Sequence, residues 1–402
     1  MSNIYERLGA RTIINATGST TRMSGALVHE EVAAAMAEAA QYCVDMEALQ
    51  ARAGEIIAEV TGAEAGYVTS GAAAGLMLGT AACVTGLDPV KMNRLPVTTG
   101  MKDEVIIPRS HRNFYDHAIR ATGVKLMEVG IPDRFSGAGM RDTEAWEIAA
   151  AIGERTAAVA YVANTDARPK LSDVTAAAHT KGVPVIVDAA AQLPPAANLQ
   201  QFIADGADLV CFSGGKAIGG PQASGILCGQ RELVSAAALQ HLDQDVLFEF
   251  WDPPKSLIDK DQLPGGPQHG IGRPCKVGKE QIVGLIVALE RFVAEGDEAR
   301  RARWQAQVDE LIAAIGNLEH AEITAVMHPT RPIPMARLQL DEEQVNVGAV
   351  ELAKRLTAID PAIHMKTSEA EKGALLFDPT CLRPGDVENI ALGVHHALAM
   401  GQ

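Results

Sequence analysis

The 402-residue sequence lacks the long apolar run that a membrane-spanning helix requires, and it contains no Cys-x-x-Cys pair. Its six cysteines are scattered through apolar segments, so they predict reduced core thiols rather than disulfides or zinc ligands. The first residues lack the basic and apolar segments of a secretory signal peptide. These absences favour a cytoplasmic protein with no membrane partner and no metal.

Positive charge is also scarce. Lys and Arg number 35 against 50 Asp and Glu, which gives a net charge of −15. An acidic protein repels polyphosphate chains, so we expect no nucleic-acid partner, tRNA included. Hydrophobic residues make up 47% of the chain, enough to form a large buried core. A small-molecule ligand is therefore the expectation.

Short apolar runs alternate with helical or turn-rich stretches along the chain. Apolar residues at steps of three and four predict an amphipathic helix over 46–60, ahead of a strand at Tyr67. This alternation predicts an α/β fold in which a mostly parallel sheet carries helices on both faces. The other predicted strands of this sheet are 105–107, 158–162, 183–187, 209–212 and 225–228.

The most distinctive segment is CFSGGKAIGGP, over 211–221, in which Lys216 stands among glycines directly after an apolar strand. A lysine on a flexible turn of this kind would swing into a cleft, where partial loss of solvent makes its amine a nucleophile and a base. A lysine that forms a Schiff base needs these properties. The alternative is an ordinary lysine on a surface loop.

Two upstream segments predict partners for Lys216. The segment KGVPVIVD predicts a buried strand that ends at Asp188, at the carboxyl edge of the sheet, where open α/β folds bind ligands. Residues 65–75 pass from a strand into an Ala-rich helix, and the free N–H groups of its first turn predict an anion site. The alternatives are a helix-capping role for Asp188 and close packing for the small residues.

An anion site, a carboxylate and an amine thus follow three predicted strands in order. They match the phosphate, ring nitrogen and aldehyde of pyridoxal 5′-phosphate. This order and spacing resemble the fold-type I pyridoxal-phosphate enzymes. Five further segments narrow the match: VDMEALQ at 44–50, TGAEAG at 61–66, YDHAIR at 115–120, DAAAQLPP at 188–195 and GRPCKVGKE at 272–280.

These segments resemble the selenocysteine-synthase-like branch of that superfamily, and within it the D-glucosaminate-6-phosphate ammonia-lyase-like proteins. The resemblance covers nearly the whole chain. It implies a seven-stranded sheet in a large cofactor-binding domain over 49–285, a smaller α+β domain over 286–402, and an N-terminal arm over 1–48. It also implies a homodimer or a larger homo-oligomer, with the site built between two subunits.

The resemblance implies three catalytic residues: Lys216, Asp188 and His111. His111 would stack on the cofactor ring or act as an acid or base, and the alternative is a solvated loop histidine. Gln192 or Asn164 would contact the phenolic oxygen, although Gln192 stands four residues after the aspartate where related families have three. The implied cofactor-binding set is Ser70, Gly71, Ala72, Ala73, His111, Asn164, Asp188, Gln192, Ser213, Lys216 and Gly272.

The implied reaction takes place at the α-carbon of an amino acid. The first hypothesis is a lyase that removes water and ammonia from a β-hydroxy, sugar-derived amino acid and yields a 2-oxo acid. The second is a racemase or epimerase that uses Lys216 and a second base. The third is a non-catalytic nucleotide-binding module. Candidates for binding the substrate's carboxylate or phosphate are Arg22, Arg168, Arg273 and Arg383.

Overall fold

A computed structural model describes residues 3–131, 142–243, 245–345 and 347–399 of the chain. Its strands are β1 Ile13–Ala16, β2 Ala65–Thr69, β3 Glu104–Pro108, β4 Lys125–Val129, β5 Thr156–Val162, β6 Val185–Asp188, β7 Leu209–Ser213, β8 Gly225–Gly229, β9 Ala321–Met327, β10 Pro334–Leu340, β11 Ala362–Met365 and β12 Ala374–Phe377. Its α-helices are α1 Ile4–Arg7, α2 Glu30–Ala39, α3 Met46–Thr61, α4 Ala72–Thr85, α5 Pro89–Arg94, α6 His117–Arg120, α7 Ala145–Ala151, α8 Leu171–His179, α9 Asn198–Ala204, α10 Arg231–His241, α11 Lys279–Ile315, α12 Ala349–Ala358 and α13 Asp386–Ala399.

The chain forms two compact units. The large unit comprises Val28–Val293, and the small unit comprises Met1–Leu27 together with Ala294–Gln402. Helix α11 contains one non-helical residue, Gly296, with φ 71° and ψ 164°. The domain limits that the sequence predicts, at residues 48 and 285, stay a prediction.

The large unit is built on a seven-stranded sheet in the order β2-β8-β7-β6-β5-β3-β4. Strand β8 runs antiparallel to β2 and β7, and the other neighbours pair in parallel. The carboxyl ends of β3, β5, β6 and β7 therefore share one edge of the sheet. The predicted strands and the mostly parallel sheet are confirmed. Strand β4 was not predicted, because Lys125 and Glu128 make it too polar for a buried strand.

Helices cover both faces of this sheet and form two apolar cores. Helix α4 is apolar all round and lies directly against the strands. A Cβ atom on Gly75 would lie 3.1 Å from Cys211 Sγ, and one on Gly79 would lie 2.6 Å from Ile186 Cδ1. The small residues of α4 therefore allow a close helix-to-sheet approach.

Strand β2 is an edge strand, and a side chain completes its hydrogen bonds. Gln50 on α3 donates to the Val68 carbonyl at 2.9 Å and accepts from the Val68 N–H at 3.1 Å. The Gln50 side chain is buried. Its amide thus replaces a neighbouring strand for one residue of the edge.

The small unit has a core of its own. Strands β12-β10-β9 form an antiparallel sheet, and β1 pairs in parallel with β11. With strands β9 and β10 and the terminal helix α13, this unit contains both strands and helices. No helix among the described residues is long and apolar enough to cross a bilayer.

Candidate active site

Asp188 and Ser213 lie side by side at the carboxyl edge of the large sheet. Asp188 is the last residue of β6, and Ser213 is the last residue of β7. Asp188 pairs with Cys211 across these parallel strands, and Lys216 follows three residues after Ser213. The sequence therefore brings a carboxylate and an amine to neighbouring strand ends, as expected.

Asp188 is half-buried. Its Oδ1 accepts a hydrogen bond from the Ala190 N–H at 3.0 Å. Burial raises the pKa of the Asp188 carboxyl, while the Ala190 bond and the positive charge of Lys216 act in the opposite direction. Since both opposing effects favour the anion, a further cation beside Asp188 would also stabilise its charged form. Asp188 lines one cavity together with His111, Leu76 and Tyr161.

The turn that carries Lys216 is tightly packed, whereas the sequence suggested a flexible one. A Cβ atom on Gly214 would lie 2.2 Å from Ser224 Oγ, and one on Gly215 would lie 2.5 Å from the Gln222 Cα. The N–H of Gly214 also bonds to the Ser224 carbonyl at 2.9 Å. These glycines allow backbone to pack against backbone, so the lysine starts from a fixed position.

The first turn of α4 is open at its N-terminus. Gly71 precedes the helix with φ 138°, no side chain caps it, and a Cβ atom there would meet nothing within 4 Å. Gly225 on β8 packs so closely against this turn that a Cβ atom on Gly225 would lie 2.7 Å from the Ala72 nitrogen. Ala73 follows in the same turn. This arrangement presents backbone N–H groups to an anion without an obstructing side chain.

Ser70, just before this turn, lines a second cavity with two lysines, Lys276 and Lys279. Lys279 pairs with Glu280 at 2.8 Å, and Lys276 is exposed. Lys279 was not predicted from the sequence. The available signal is the KVGK run at 276–279, in which the two lysines flank Val277 and Gly278.

His111 is buried, so the alternative of a solvated loop histidine is wrong. Its Nδ1 accepts from the Val162 N–H at 3.2 Å, and its Nε2 lies 3.1 Å from the Arg168 carbonyl. Because a backbone N–H only donates and a carbonyl only accepts, the ring is neutral and carries its proton on Nε2. Burial lowers the pKa of His111 to about 4, which agrees with this geometry.

Asn164 and Arg168 lie in an exposed loop after β5. The loop is anchored at its far end, where the Tyr161 hydroxyl donates to the Pro169 carbonyl at 3.0 Å and His111 bonds to Arg168. Gln192 lies in the half-buried turn after β6. These residues reach the same edge of the sheet as Asp188, and no hydrogen bond or ion pair among the described residues joins their side chains to it.

Gly272 and Arg273 belong to a loop that α10 holds. The Gly272 N–H bonds to the Gln240 carbonyl at 3.0 Å, and Arg273 forms an ion pair with Asp243. Two buried hydrogen bonds through His241 also reach this loop. The Tyr67 hydroxyl lies 2.7 Å from His241 Nδ1, and His241 Nε2 lies 2.9 Å from the Cys275 carbonyl. No sequence pattern links these three positions, so these hydrogen bonds were not predicted.

The other two predicted arginines lie in the small unit. Arg22 is exposed in a short turn after β1. Arg383 lies before α13 and pairs with Asp386 at 3.4 Å. Five of the six cysteines lie in buried or half-buried positions and Cys43 is exposed; all six are free thiols.

The residues at this edge fit pyridoxal phosphate by their chemistry. The open first turn of α4 would take the phosphate, and the half-buried Asp188 carboxylate would take a protonated ring nitrogen. Lys216 supplies an amine on the neighbouring strand end. A Cβ atom on Gly71 would meet nothing within 4 Å, so no protein atom obstructs an anion on that side.

Comparison with solved structures agrees with the fold. The chain superposes on the structure of D-glucosaminate-6-phosphate ammonia-lyase with a TM-score of 0.83 and 28% identity, covering 100% of this chain and 99% of the other. The mixed seven-stranded sheet with helices on both faces is the architecture of fold-type I pyridoxal-phosphate enzymes. This class, predicted from the sequence, is confirmed.

The family is also defined. The family model "L-seryl-tRNA selenium transferase" matches residues 13–246. A 5′-C-glycyluridine monooxygenase-decarboxylase from a Streptomyces species is 32% identical, covering 96% of this chain and 90% of the relative. The D-glucosaminate-6-phosphate ammonia lyase of Salmonella typhimurium is 31% identical, and the match covers 96% of this chain and 95% of that relative. The chain belongs to this SelA-like family of pyridoxal-phosphate enzymes.

Proposed function

We propose that this protein is a pyridoxal-phosphate-dependent lyase that eliminates water from a β-hydroxy amino acid to give an enamine, which takes up water again and yields a 2-oxo acid and ammonia. The observation that carries the proposal is that half-buried Asp188 ends β6 within electrostatic range of Lys216, which follows the neighbouring strand β7, close to the open first turn of α4. The relative named as an ammonia lyase, 31% identical over nearly the full length of both chains, supports the reaction class.

Each group of the chain has a defined part in this proposal. When bound, pyridoxal phosphate supplies a ring that accepts the electrons of a bond broken at the substrate α-carbon. Lys216 would hold the cofactor and would also move the proton at the substrate α-carbon. Asp188 holds a proton on the ring nitrogen. The N–H groups of Ala72 and Ala73, with the hydroxyls of Ser70 and Ser213, bind the phosphate.

The positions of the two His111 nitrogens favour a lyase over a racemase. A racemase needs a second base on the face of the substrate opposite Lys216. The His111 nitrogen that would accept a proton is already bonded to the Val162 N–H, and its other nitrogen bonds to Arg168. His111 therefore acts as a neutral ring that holds the loop after β5, beside the cofactor site.

The substrate is proposed to be a small, anionic, sugar-derived amino acid. Gln192 and Asn164 are the proposed donors to the phenolic oxygen, and Gly272 contributes from a neighbouring subunit of a homo-oligomer. We place the protein in the cytoplasm, without a nucleic-acid partner. The proposed cationic residues for the substrate's carboxylate or phosphate are Arg22, Arg168, Arg273 and Arg383.

A substrate screen tests the reaction. The protein, supplied with pyridoxal phosphate, is incubated with D- and L-β-hydroxy amino acids, and 2-oxo acid, ammonia, carbon dioxide and oxygen are followed together. We expect equal amounts of 2-oxo acid and ammonia, without oxygen uptake, and loss of both in Lys216→Ala but not in the surface control Lys181→Ala.

The relative named as a monooxygenase-decarboxylase defines a second candidate, since it is as similar as the lyase. Oxygen uptake matched by carbon dioxide release would favour that reaction. Solvent deuterium at the α-carbon with inversion, and without 2-oxo acid, would favour a racemase. Either result would contradict the proposed lyase.

A further inference from the structure

A group of charged side chains meets at strand ends of the small unit. Lys366 directly follows β11, Asp378 directly follows β12, and the 328–333 turn between β9 and β10 carries His328 and Arg331. Arg331 and His328 each lie within electrostatic range of Asp378, and His328 also lies within range of Lys366. None of these residues was singled out by the sequence.

Arg331 is half-buried, yet it makes no ion pair with any carboxylate of the described residues. Among the described residues, the guanidinium of Arg331 makes one hydrogen-bond contact, between its Nη2 and His328 Nε2 at 3.1 Å. Arg337 and Arg355, which are also partly buried in this unit, pair with Glu369 at 2.9 Å and Glu351 at 3.4 Å. Burial lowers the pKa of Arg331, because the charged guanidinium loses water without gaining a bonded carboxylate. Arg331 therefore has donors left for an anion.

Asp378 does not supply that anion, because it is already saturated. It is 1% exposed, and its Oδ2 lies 3.1 Å from Lys366 Nζ. Its Oδ1 accepts from the Thr380 N–H at 3.0 Å and from the Thr380 hydroxyl at 2.6 Å. A Cβ atom on Gly18 would lie 2.7 Å from Oδ2, so the backbone after β1 closes this side. Asp378 thus neutralises Lys366 and leaves Arg331 unbalanced.

His328 adds no charge at neutral pH. Its Nε2 faces the Arg331 guanidinium and its Nδ1 lies 3.2 Å from the Thr330 N–H, so both ring nitrogens face donors and the doubly protonated, charged ring is disfavoured. Burial, followed by the positive charges of Arg331 and Lys366, lowers the pKa of His328 to about 4. With His328 neutral and Lys366 matched by Asp378, the group has a surplus of one positive charge.

We propose that Arg331, flanked by Lys366 and His328, binds the carboxylate of a small organic acid. A carboxylate carries one negative charge and matches the surplus of the group. Its two oxygens also fit the planar fork of a guanidinium. A doubly charged phosphate would leave excess negative charge next to buried Asp378. The site lies within the small unit, and its existence does not depend on the proposed function of the large unit.

Chemical protection in the wild-type protein tests the site without any substitution. Phenylglyoxal modifies arginine side chains, and peptide mass spectrometry gives the rate at each arginine. We expect acetate to slow modification of Arg331 and to leave that of exposed Arg52 unchanged, with chloride at equal ionic strength as the reference. An equal effect of acetate and chloride at Arg331 would overturn the proposal. Stronger protection by inorganic phosphate than by acetate would overturn its choice of a carboxylate.

Substitutions in the full-length protein give a second test, read from the line width of ¹³C-labelled acetate. We expect Arg331→Gln to weaken acetate binding about tenfold or more, since a hydrogen-bonded charge is lost. The matched variant Arg337→Gln, which breaks the Glu369 pair, should leave binding unchanged. Asp378→Asn should strengthen binding because it frees Lys366, and misfolding would not produce such a gain. Equal weakening by both arginine variants, or weaker binding in Asp378→Asn, would contradict the site.

Discussion

At the scale of single residues, His111 shows how surroundings decide a role that residue type leaves open. Histidine in a ligand cleft is an obvious acid or base, and the sequence allowed that use. Backbone groups of β5 and of the loop after it bond to both ring nitrogens instead. The ring is thereby fixed in its neutral form, and it connects the loop that carries Arg168 to the sheet.

This environment predicts a pH dependence of stability. The folded protein lowers the pKa of His111 to about 4, from a usual value of 6.5. Between these values the unfolded chain binds more protons, so the contribution of His111 is complete above the unfolded pKa and is lost as pH falls toward the folded one. We expect the urea midpoint to fall less between pH 7 and pH 5 in His111→Gln than in the wild type.

Exposed His117 provides the matched control. His117→Gln should retain the wild-type pH dependence. Buried His241 and half-buried His328 also have lowered pKa values, so some dependence remains in every variant. Identical slopes for His111→Gln and wild type would contradict the neutral, buried state of this ring.

At the scale of elements, the edge of the large sheet depends on one amide. Gln50 makes two hydrogen bonds to the backbone of Val68, and both are buried. Gln50→Leu leaves one N–H and one carbonyl unpaired at β2, each at a cost of roughly 1–3 kcal/mol. We expect the free energy of unfolding to fall by about 2–6 kcal/mol in urea titrations. Gln41→Leu, at an exposed position, should change it little; a comparable loss there would contradict the role of Gln50.

The contact between β8 and the start of α4 gives a second prediction at this scale. In Gly225→Ala, the new methyl group would lie 2.5 Å from the Gly71 carbonyl carbon, so the first turn of α4 must move. We expect a loss of about 1–3 kcal/mol in stability and a parallel loss of affinity for pyridoxal phosphate, measured by equilibrium dialysis.

Gly153 is the control for this substitution, because a Cβ atom there meets nothing within 4 Å. Gly153→Ala should bind the cofactor as the wild type does. Unchanged cofactor affinity in Gly225→Ala would argue against a phosphate site at the first turn of α4.

The elements differ in how far the sequence predicts them. Apolar runs such as those of β5 and β7 are local signals, and so is the helical spacing of α3; all three were predicted. The polar edge strand β4 has no such signal. The tight packing of Gly214 against Ser224, and the bonds of His111, depend on residues distant in sequence that only the fold brings together. The sequence pattern therefore predicted which residues reach the sheet edge, but it did not predict what each of them contacts.

At the scale of the whole molecule, the net charge predicts that this chain does not bind tRNA. The matching family model is named for a selenium transferase acting on seryl-tRNA, yet this chain has a net charge of −15. A protein that binds the phosphates of a nucleic acid needs compensating basic charge, and such binding is strongest at low salt. We expect no retardation of labelled tRNA in a gel at about 50 mM salt. A shifted band that disappears as salt is added would contradict this expectation.

The central claim is that Lys216 is the covalent anchor of pyridoxal phosphate, and absorption spectroscopy tests it most directly. The purified protein is supplied with the cofactor, its visible spectrum is recorded before and after borohydride, and the reduced protein is digested for peptide mass spectrometry. Lys216→Ala is treated in parallel. We predict a visible band that borohydride removes, with the cofactor's mass on the peptide that contains Lys216, and neither signal in the variant. A colourless wild-type protein, or the added mass on another lysine, would contradict the account.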